Sequence, residues 1–258
     1  MSSPVKGVLF DLDNTLIDWH NAIGWDESEK LHLSKVHQYL ADKKQPLSCT
    51  VETLTNDFRN RSYKAWDDSR ATLRTPQIVD TLQETLAEYG FAPDDTITMR
   101  DIIEAYEWGI ENGVVVFPDV PDALQKLIDD DIQIGIVTNA WQPMWMRDPE
   151  LAHHDLLKYF PHENRRISAA DVGHLKPHPA IFYHALEQIG TSPEETLFVG
   201  DNISADIAGA QGIGMRAILR VNYGQTPLMS SVLAPDAIVE DFEHLLRLVD
   251  DWDTAIAE

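Results

Sequence analysis

The stretch Gly7–Trp19, GVLFDLDNTLIDW, decides how this chain is read. Val8, Leu9 and Phe10 make a short apolar run, and Asp11 and Asp13 follow it two positions apart. Successive strand residues point to opposite faces, so both carboxylates would share one side if the strand continued. Two like charges that close cost energy unless a cation, a proton or a ligand lies between them. The run therefore reads as a strand with a charge problem at its carboxyl end.

Working outward, apolar runs recur near Ile132–Val137, Leu197–Val199 and Ala217–Leu219, with helix-like segments between them. Alternating strands and helices predict an α/β fold with a doubly wound parallel sheet covered on both faces. The opening run, Val5–Phe10, belongs to that sheet, because alone it has no partner strand. The intervening chain reads as helical. Its apolar stripes fall at Leu33, Val36 and Leu40, at Val51, Leu54 and Phe58, at Ile78, Leu82 and Leu86, and at Ile102, Ile103, Tyr106 and Ile110. The third helix is predicted to start with Thr75 as its cap and Pro76 in its first turn, and to end at Gly90. Further helices are expected over Leu124–Ile128, KPHPAIFYHALEQIG, the small-residue segment SADIAGAQGIGM and DFEHLLRLVD. The expected organisation is a core of residues 1–17 and 114–258, with residues 18–113 inserted as a helical domain at the end of the first strand.

Composition narrows the function classes. The 258 residues are 43% hydrophobic, enough for one large core plus a smaller appended one, and 7 Trp, 7 Tyr and 8 Phe argue against disorder. With 20 basic against 43 acidic residues the net charge is -23, which repels nucleic acid and anionic membranes. Arg165–Arg166 is the only adjacent arginine pair and reads as part of a solvated loop. An Asp-rich, Lys-poor surface fits a soluble cytoplasmic protein, or one adapted to high salt. The single Cys49 excludes an intrachain disulfide and a cysteine zinc cluster. The N-terminal MSSPVKGVLF has no signal-peptide pattern, and no apolar run nears the roughly 20 residues that span a bilayer. The cytoplasm is the expected compartment, and nothing in the sequence specifies an oligomeric state.

Ligands of open parallel sheets bind beyond the carboxyl ends of the strands. There the sequence places Asp11, Leu12, Asp13, Asn14 and Thr15, then Thr138 and Asn139, then Lys176 in the loop GHLKPHP, then Asp201 and Asn202 with Asp206 close behind. Carboxylates, a hydroxyl and a lysine on one edge suit a hard divalent cation and a phosphoryl group. A phosphate dianion repels a carboxylate by about 4 kcal/mol per charge pair at 4 Å and an effective dielectric of about 20. Mg²⁺ and the Lys176 ammonium would supply the compensation. The Thr138 hydroxyl and backbone N–H groups around Leu12 and Asn139 can donate to phosphate oxygens. A carboxylate is itself a known phosphoryl acceptor, forming an aspartyl-phosphate that water hydrolyses.

DLDNT, TN, the lysine of LKPHP and GDNISAD, in that order, resemble the four motifs of the haloacid dehalogenase (HAD) superfamily. The resemblance implies a Rossmann-like core and assigns roles. Asp11 would be the nucleophile, and Asp13 would protonate the leaving oxygen and then activate water. Thr138 and Lys176 would bind phosphate. Mg²⁺ would be held by the side chains of Asp11 and Asp201 and the backbone carbonyl of Asp13, with Asn202 and Asp206 in support. The insertion resembles a class-one cap, which in this family selects the substrate. Members that displace halide usually lack the second aspartate, so Asp13 favours phosphate-ester hydrolysis, whose departing alkoxide needs a proton. A phosphomutase would share these residues. Within the family, LFDLDNTLIDW and FVGDNISADIAGAQGIGM look closest to small-molecule phosphatases acting on sugar phosphates, phosphoglycolate or nucleoside monophosphates.

Two other classes stand beside this reading. A phosphoacceptor signalling domain also uses Asp, Thr, Lys and Mg²⁺, but the first-strand position of Asp11 and the long insertion speak against it. A silent metabolite-binding scaffold would not need every catalytic position filled. His153, His154 and His162 read as solvent-facing, with no metal-ligand spacing. The run WQPMWMRDPE, Trp141–Glu150, is either helix packing or a pocket wall. Arg59, Arg61, Tyr63, Trp66, Arg70 and Arg74 offer the insertion cations and aromatics, most of them expected on a solvated face.

Overall fold

The opening apolar run forms β1, Gly7–Phe10, with all of its residues buried. The computed structural model describes residues 5–22, 24–109, 111–222, 234–250 and 252; Ile110, assigned above to a helical stripe, lies outside them. After β1 come β2 (Ile17–Asp18), α1 (Trp25–Asp42), α2 (Val51–Thr72), α3 (Ile78–Glu88), α4 (Met99–Tyr106) and β3 (Val115–Val116). The chain continues through α5 (Val120–Asp129), β4 (Gln133–Thr138), α6 (Met144–His153), β5 (Arg166–Ser168), α7 (Ala169–Val172) and α8 (Pro179–Ile189). It ends with β6 (Thr196–Gly200), α9 (Ala208–Gln211), β7 (Arg216–Arg220), β8 (Ala237–Val239) and α10 (Phe242–Asp250).

The six-stranded sheet has the order β5-β4-β1-β6-β7-β8 and is parallel throughout. Alternation along the strands explains its two-sided cover. Val8 and Phe10 of β1 pack with residues of α5 and α10, whereas Leu9 packs with residues of α8 and α9. The chain leaves β1 towards β4 and β5 and returns to fill the other half from β6 to β8. The order therefore reverses between β1 and β6, where open sheets of this kind hold their ligands. Phe10 is level with Ile136 and Val199, so Asp11, Thr138 and Asp201 leave the sheet at one edge.

Helices α1–α4 bury a third apolar cluster of their own, including Leu33, Leu54, Phe58, Leu82 and Ile102; α6 adds Met146 to it. Leu16, Ile17, Val114 and Phe117 belong instead to the sheet's core. The chain segments entering and leaving the helical region are joined by the antiparallel pairing of β2 with β3. The segment before α3 ties the helical region to the core. Thr75 does not cap α3: the N-cap is Gln77, and the Thr75 hydroxyl donates to the Ala169 carbonyl at 2.9 Å. The Gln77 side chain likewise donates to the Ala170 carbonyl at 3.0 Å.

Short elements escaped the sequence pattern. Edge strands β5 and β8 have three residues each, too few to show a period, and β2 and β3 have two. The small-residue segment opens with a π-helical turn, Ile203–Ile207, before α9. Arg166 is buried rather than solvated; it grips both carboxylate oxygens of Asp148 at 2.8 and 2.9 Å and the Phe160 carbonyl at 2.6 Å. Among the described residues, no helix is long and apolar enough to cross a membrane.

Candidate active site

Lys176 is the centre around which the strand-end groups gather. Its ammonium, in a residue only 3% exposed, lies 2.6 Å from Asp11 Oδ1 and 2.7 Å from Asp206 Oδ1, and donates to the Val137 carbonyl at 2.8 Å. The loop carrying it is pinned by Asn139, whose side chain accepts from the Lys176 N–H at 2.7 Å and donates to the Lys176 carbonyl at 3.0 Å. Burial works against the ammonium, but the adjoining Asp11 and Asp206 carboxylates outweigh it and hold Lys176 charged well above its ordinary range.

Asp11, Asp201 and Asp206 each bring a carboxylate oxygen within 4.8 Å of the others. Among the described residues this is the only such group of potential metal ligands. Burial pushes the Asp11 carboxyl well up, against the pull of Lys176, and the neighbouring aspartates add to the rise. Burial and the Asp206 charge push Asp201 up to about 6. Three crowded carboxylates facing one ammonium are short of positive charge, and their donor set is all oxygen. Both features fit a hard divalent cation.

Supporting contacts fix this cluster. The Asn202 side chain accepts from the Ser204 and Ala205 N–H groups at 3.0 and 2.9 Å, while the Asn202 backbone N–H donates to Asp206 Oδ2 at 2.9 Å. Asn202 thus shapes the turn and aims Asp206. A Cβ built on Gly200 would fall on the Asp206 carboxylate, so that carboxylate's place requires a glycine. If this cluster holds a divalent cation, Gly200→Ala is expected to weaken that binding at least tenfold, read by titration calorimetry. Leu12 is fully buried in the sheet's core, so its contribution at the site is confined to its backbone. The Thr15 hydroxyl lies 3.4 Å from Asp11 Oδ2.

Asp13 stands apart from the three-carboxylate group. Its Oδ2 accepts from the Thr138 hydroxyl at 3.2 Å, so that hydroxyl is directed at Asp13 in this structure. Arg147 of α6, read above only as part of an aromatic run, donates to both Asp13 oxygens at 2.7 and 3.2 Å. The same guanidinium donates to Glu150 at 2.6 Å, and Arg147 and Glu150 are both almost completely buried. Burial alone would raise Asp13, but the Arg147 charge and hydrogen bonds bring its carboxyl below the usual range. Burial pushes Glu150 up to about 7, with Arg147 opposing and Asp13 adding to the rise. In the sequence Arg147 and Glu150 stand three residues apart within Trp141–Glu150, a spacing that by itself does not say where the pair packs.

Of the cations and aromatics named in the insertion, Arg59, Tyr63 and Trp66 line the cavity above the site, as do Trp141 and Gln142. Arg61 pairs with Asp57 and Glu88, and the exposed Arg70 pairs with Asp67, away from it. His153 and His162 are exposed and His154 is half-buried.

The carboxyls raised by burial make stability depend on pH and metal. Asp11, Asp201 and Glu150 hold protons in the folded chain that they give up in the unfolded one. For Asp201 and Glu150 the cost is absent well below about pH 4, grows as pH rises, and levels off above about pH 7, and Asp11 adds to it in the same direction. In EDTA the melting temperature should therefore fall between about pH 5 and 7.5, and the rise that a divalent cation held by this cluster would cause should widen over the same interval. A metal-induced rise that shrinks with pH would contradict this electrostatic picture.

Known proteins share this arrangement of sequence and fold. The chain is 29% identical over 246 residues to phosphoglycolate phosphatase of Salmonella typhimurium, covering 94% of this chain and 91% of that protein. It is 28% identical over 250 residues to pyrophosphatase PpaX of Oceanobacillus iheyensis, covering 96% and 98%. Among solved structures, a 2-haloacid dehalogenase from Pseudomonas syringae pv. Tomato superposes with a TM-score of 0.67 at 25% identity over 96% of this chain and 99% of that one. A HAD phosphatase from Thermococcus onnurineus shares the fold, with a TM-score of 0.58 at 22% identity over 95% and 98% of the two chains. The family model for haloacid dehalogenase-like hydrolases matches residues 8–220, from β1 to the end of β7 and so across every strand end that builds the site. With that span matched, the chain belongs to the haloacid dehalogenase-like hydrolase family.

Proposed function

We propose that this hydrolase is a Mg²⁺-dependent phosphatase that cleaves small-molecule phosphomonoesters through an aspartyl-phosphate on Asp11. One observation carries the reading: Asp11 and Asp206 share the buried Lys176 ammonium at the β1–β6 edge, Asp201 completes a three-carboxylate group with them, and a further carboxylate, Asp13, stands beside Thr138. Phosphatase activity is also what the names of its curated relatives state.

Asp11, Asp201 and Asp206 would hold the cation. When bound, it would neutralise phosphate charge and so let an anionic nucleophile approach a dianion. A carboxylate oxygen of Asp11 attacks phosphorus as the bond to the leaving oxygen breaks, and that oxygen takes a proton from Asp13. Asp13, now a carboxylate, removes a proton from water. The resulting hydroxide attacks the phosphoryl group, returning Asp11 and releasing inorganic phosphate. Lys176 stabilises charge on the transferring group, and Asn139 holds the lysine loop in place. Arg147 keeps Asp13 charged in the resting protein, and an arriving phosphate dianion raises its proton affinity. A halide needs no proton as it leaves carbon, so a second carboxylate at Asp13 supports ester hydrolysis over dehalogenation. Residues 18–113 act in this reading as a cap over the site.

Released phosphate across a panel of phosphorylated metabolites tests the proposal. Turnover is expected with Mg²⁺, loss with EDTA, and recovery on adding Mg²⁺ back. No release from any phosphomonoester would sink the phosphatase reading.

A further inference from the structure

Resting on that phosphatase reading, we infer that the preferred substrate carries an uncharged aromatic leaving group, a nucleoside or an aryl alcohol, and that an anionic one such as glycolate is selected against. A cavity of about 790 Å³ runs from the carboxylate cluster to the underside of the helical insertion. That volume is far larger than a phosphate needs and falls within the usual range for small-molecule sites. Beyond the phosphate end, its walls carry Trp19, Tyr63, Trp66, Trp108 and Trp141. The tryptophans fall into two ring pairs. Trp19 and Trp108 stack with centroids 6.5 Å apart, and Trp66 and Trp141 meet at 6.0 Å. They come from both segments joining the insertion to the core, from α2 and from the loop after β4, so core and insertion together build the aromatic wall.

Charge points the same way. The lysines and arginines lining the cavity are Lys176, Arg147 and Arg59, and each already faces two carboxylates. Lys176 holds Asp11 and Asp206, and Arg147 holds Asp13 and Glu150. Arg59, the cation contributed by the insertion, lies 2.8 Å from Glu29 and 3.2 Å from Asp26, both of which also line the cavity. The end contributed by the insertion is therefore net negative. A leaving-group carboxylate would have to share Arg59 with Glu29 and Asp26 and sit beside both of these like charges. A planar uncharged ring has no such cost and gains stacking on the tryptophans, worth about tenfold or more in affinity per ring.

The test compares kcat/KM with Mg²⁺ for adenosine and uridine 5′-monophosphates, phenyl phosphate, glycerol 3-phosphate and 2-phosphoglycolate. The aromatic esters should exceed glycerol 3-phosphate by about tenfold or more, with 2-phosphoglycolate lowest. A lead for the nucleotides over phenyl phosphate assigns the ring site to a base reached through a sugar, and the opposite order assigns it to an aryl ester. Trp66→Leu should bring the aromatic-to-glycerol ratio towards one, and Glu29→Gln, which leaves Arg59 with Asp26 as its remaining carboxylate, should raise 2-phosphoglycolate relative to the nucleotides about tenfold. 2-Phosphoglycolate equal to or better than the aromatic esters overturns this inference and leaves the phosphatase reading standing. No turnover of any ester overturns both.

Discussion

Asp11→Asn is expected to lower kcat by about four orders of magnitude or more while leaving the metal-free protein at least as stable as the parent. The amide keeps the shape of the side chain but is a poor nucleophile and a poor ligand for a divalent cation. Stability should not suffer, because the substitution removes one charge from a crowded group of three. The Lys176 ammonium retains Asp206 at 2.7 Å and the Val137 carbonyl at 2.8 Å. The carboxyl it replaces is one that burial and its neighbours already push towards its neutral form. Two readouts thus move in opposite directions: activity disappears, and the melting temperature in EDTA holds or rises. A variant that loses activity together with a lowered melting temperature would point to a structural role for Asp11, and near-normal turnover would remove it from the mechanism.

Arg147→Met should cost about 3 kcal/mol of stability and move the alkaline limb of kcat/KM to higher pH. Methionine approximates the side-chain length, so packing against Trp108, whose ring lies 6.0 Å from the guanidinium, is kept in part. What is lost is the one cation between Asp13 and the buried Glu150. Glu150, already held at about 7 with the arginine in place, becomes neutral in the variant, which limits the penalty. Asp13 loses the charge and hydrogen bonds that keep it below the usual carboxylate range. In the proposed mechanism its first task is to donate a proton, so a higher pKa would extend that task to more alkaline solution. The double variant Arg147→Met/Glu150→Gln separates the effects: it should recover much of the stability and keep the displaced limb. An unmoved limb in both variants would show that Arg147 serves packing alone.

The legibility of the site in the sequence followed from strand ends. Asp11, Asp13, Thr138, Lys176 and Asp201 each stand at the end of an apolar run or in a loop between two elements, with Asp206 in the π-helical turn just after β6, and the parallel sheet brings such positions to one edge. Arg147 was hidden for the opposite reason. It lies within α6, and its role depends on where that helix packs, which no local pattern states. The Thr138 hydroxyl was read as a phosphate ligand, yet its partner in the structure is Asp13, a contact between residues 125 positions apart. The central strands could be read because burial on both faces makes them uniformly apolar. The edge strands β5 and β8 could not, since β5 begins with an arginine whose partners, Asp148 and the Phe160 carbonyl, only tertiary structure supplies. Thr75 followed a local capping rule and was overruled by a longer-range bond to Ala169.

The central claim is that the phosphoryl group passes through Asp11. Enzyme mixed with Mg²⁺ and a hydrolysed phosphomonoester, quenched in acid during turnover and digested, can be mapped by mass spectrometry. The account predicts a phosphoryl group on the peptide spanning Asp11, located at Asp11, and absent from Asp11→Asn. A phosphoryl group on any other residue, or turnover with oxygen isotope from water entering phosphate in a single direct displacement and no covalent intermediate, would contradict it.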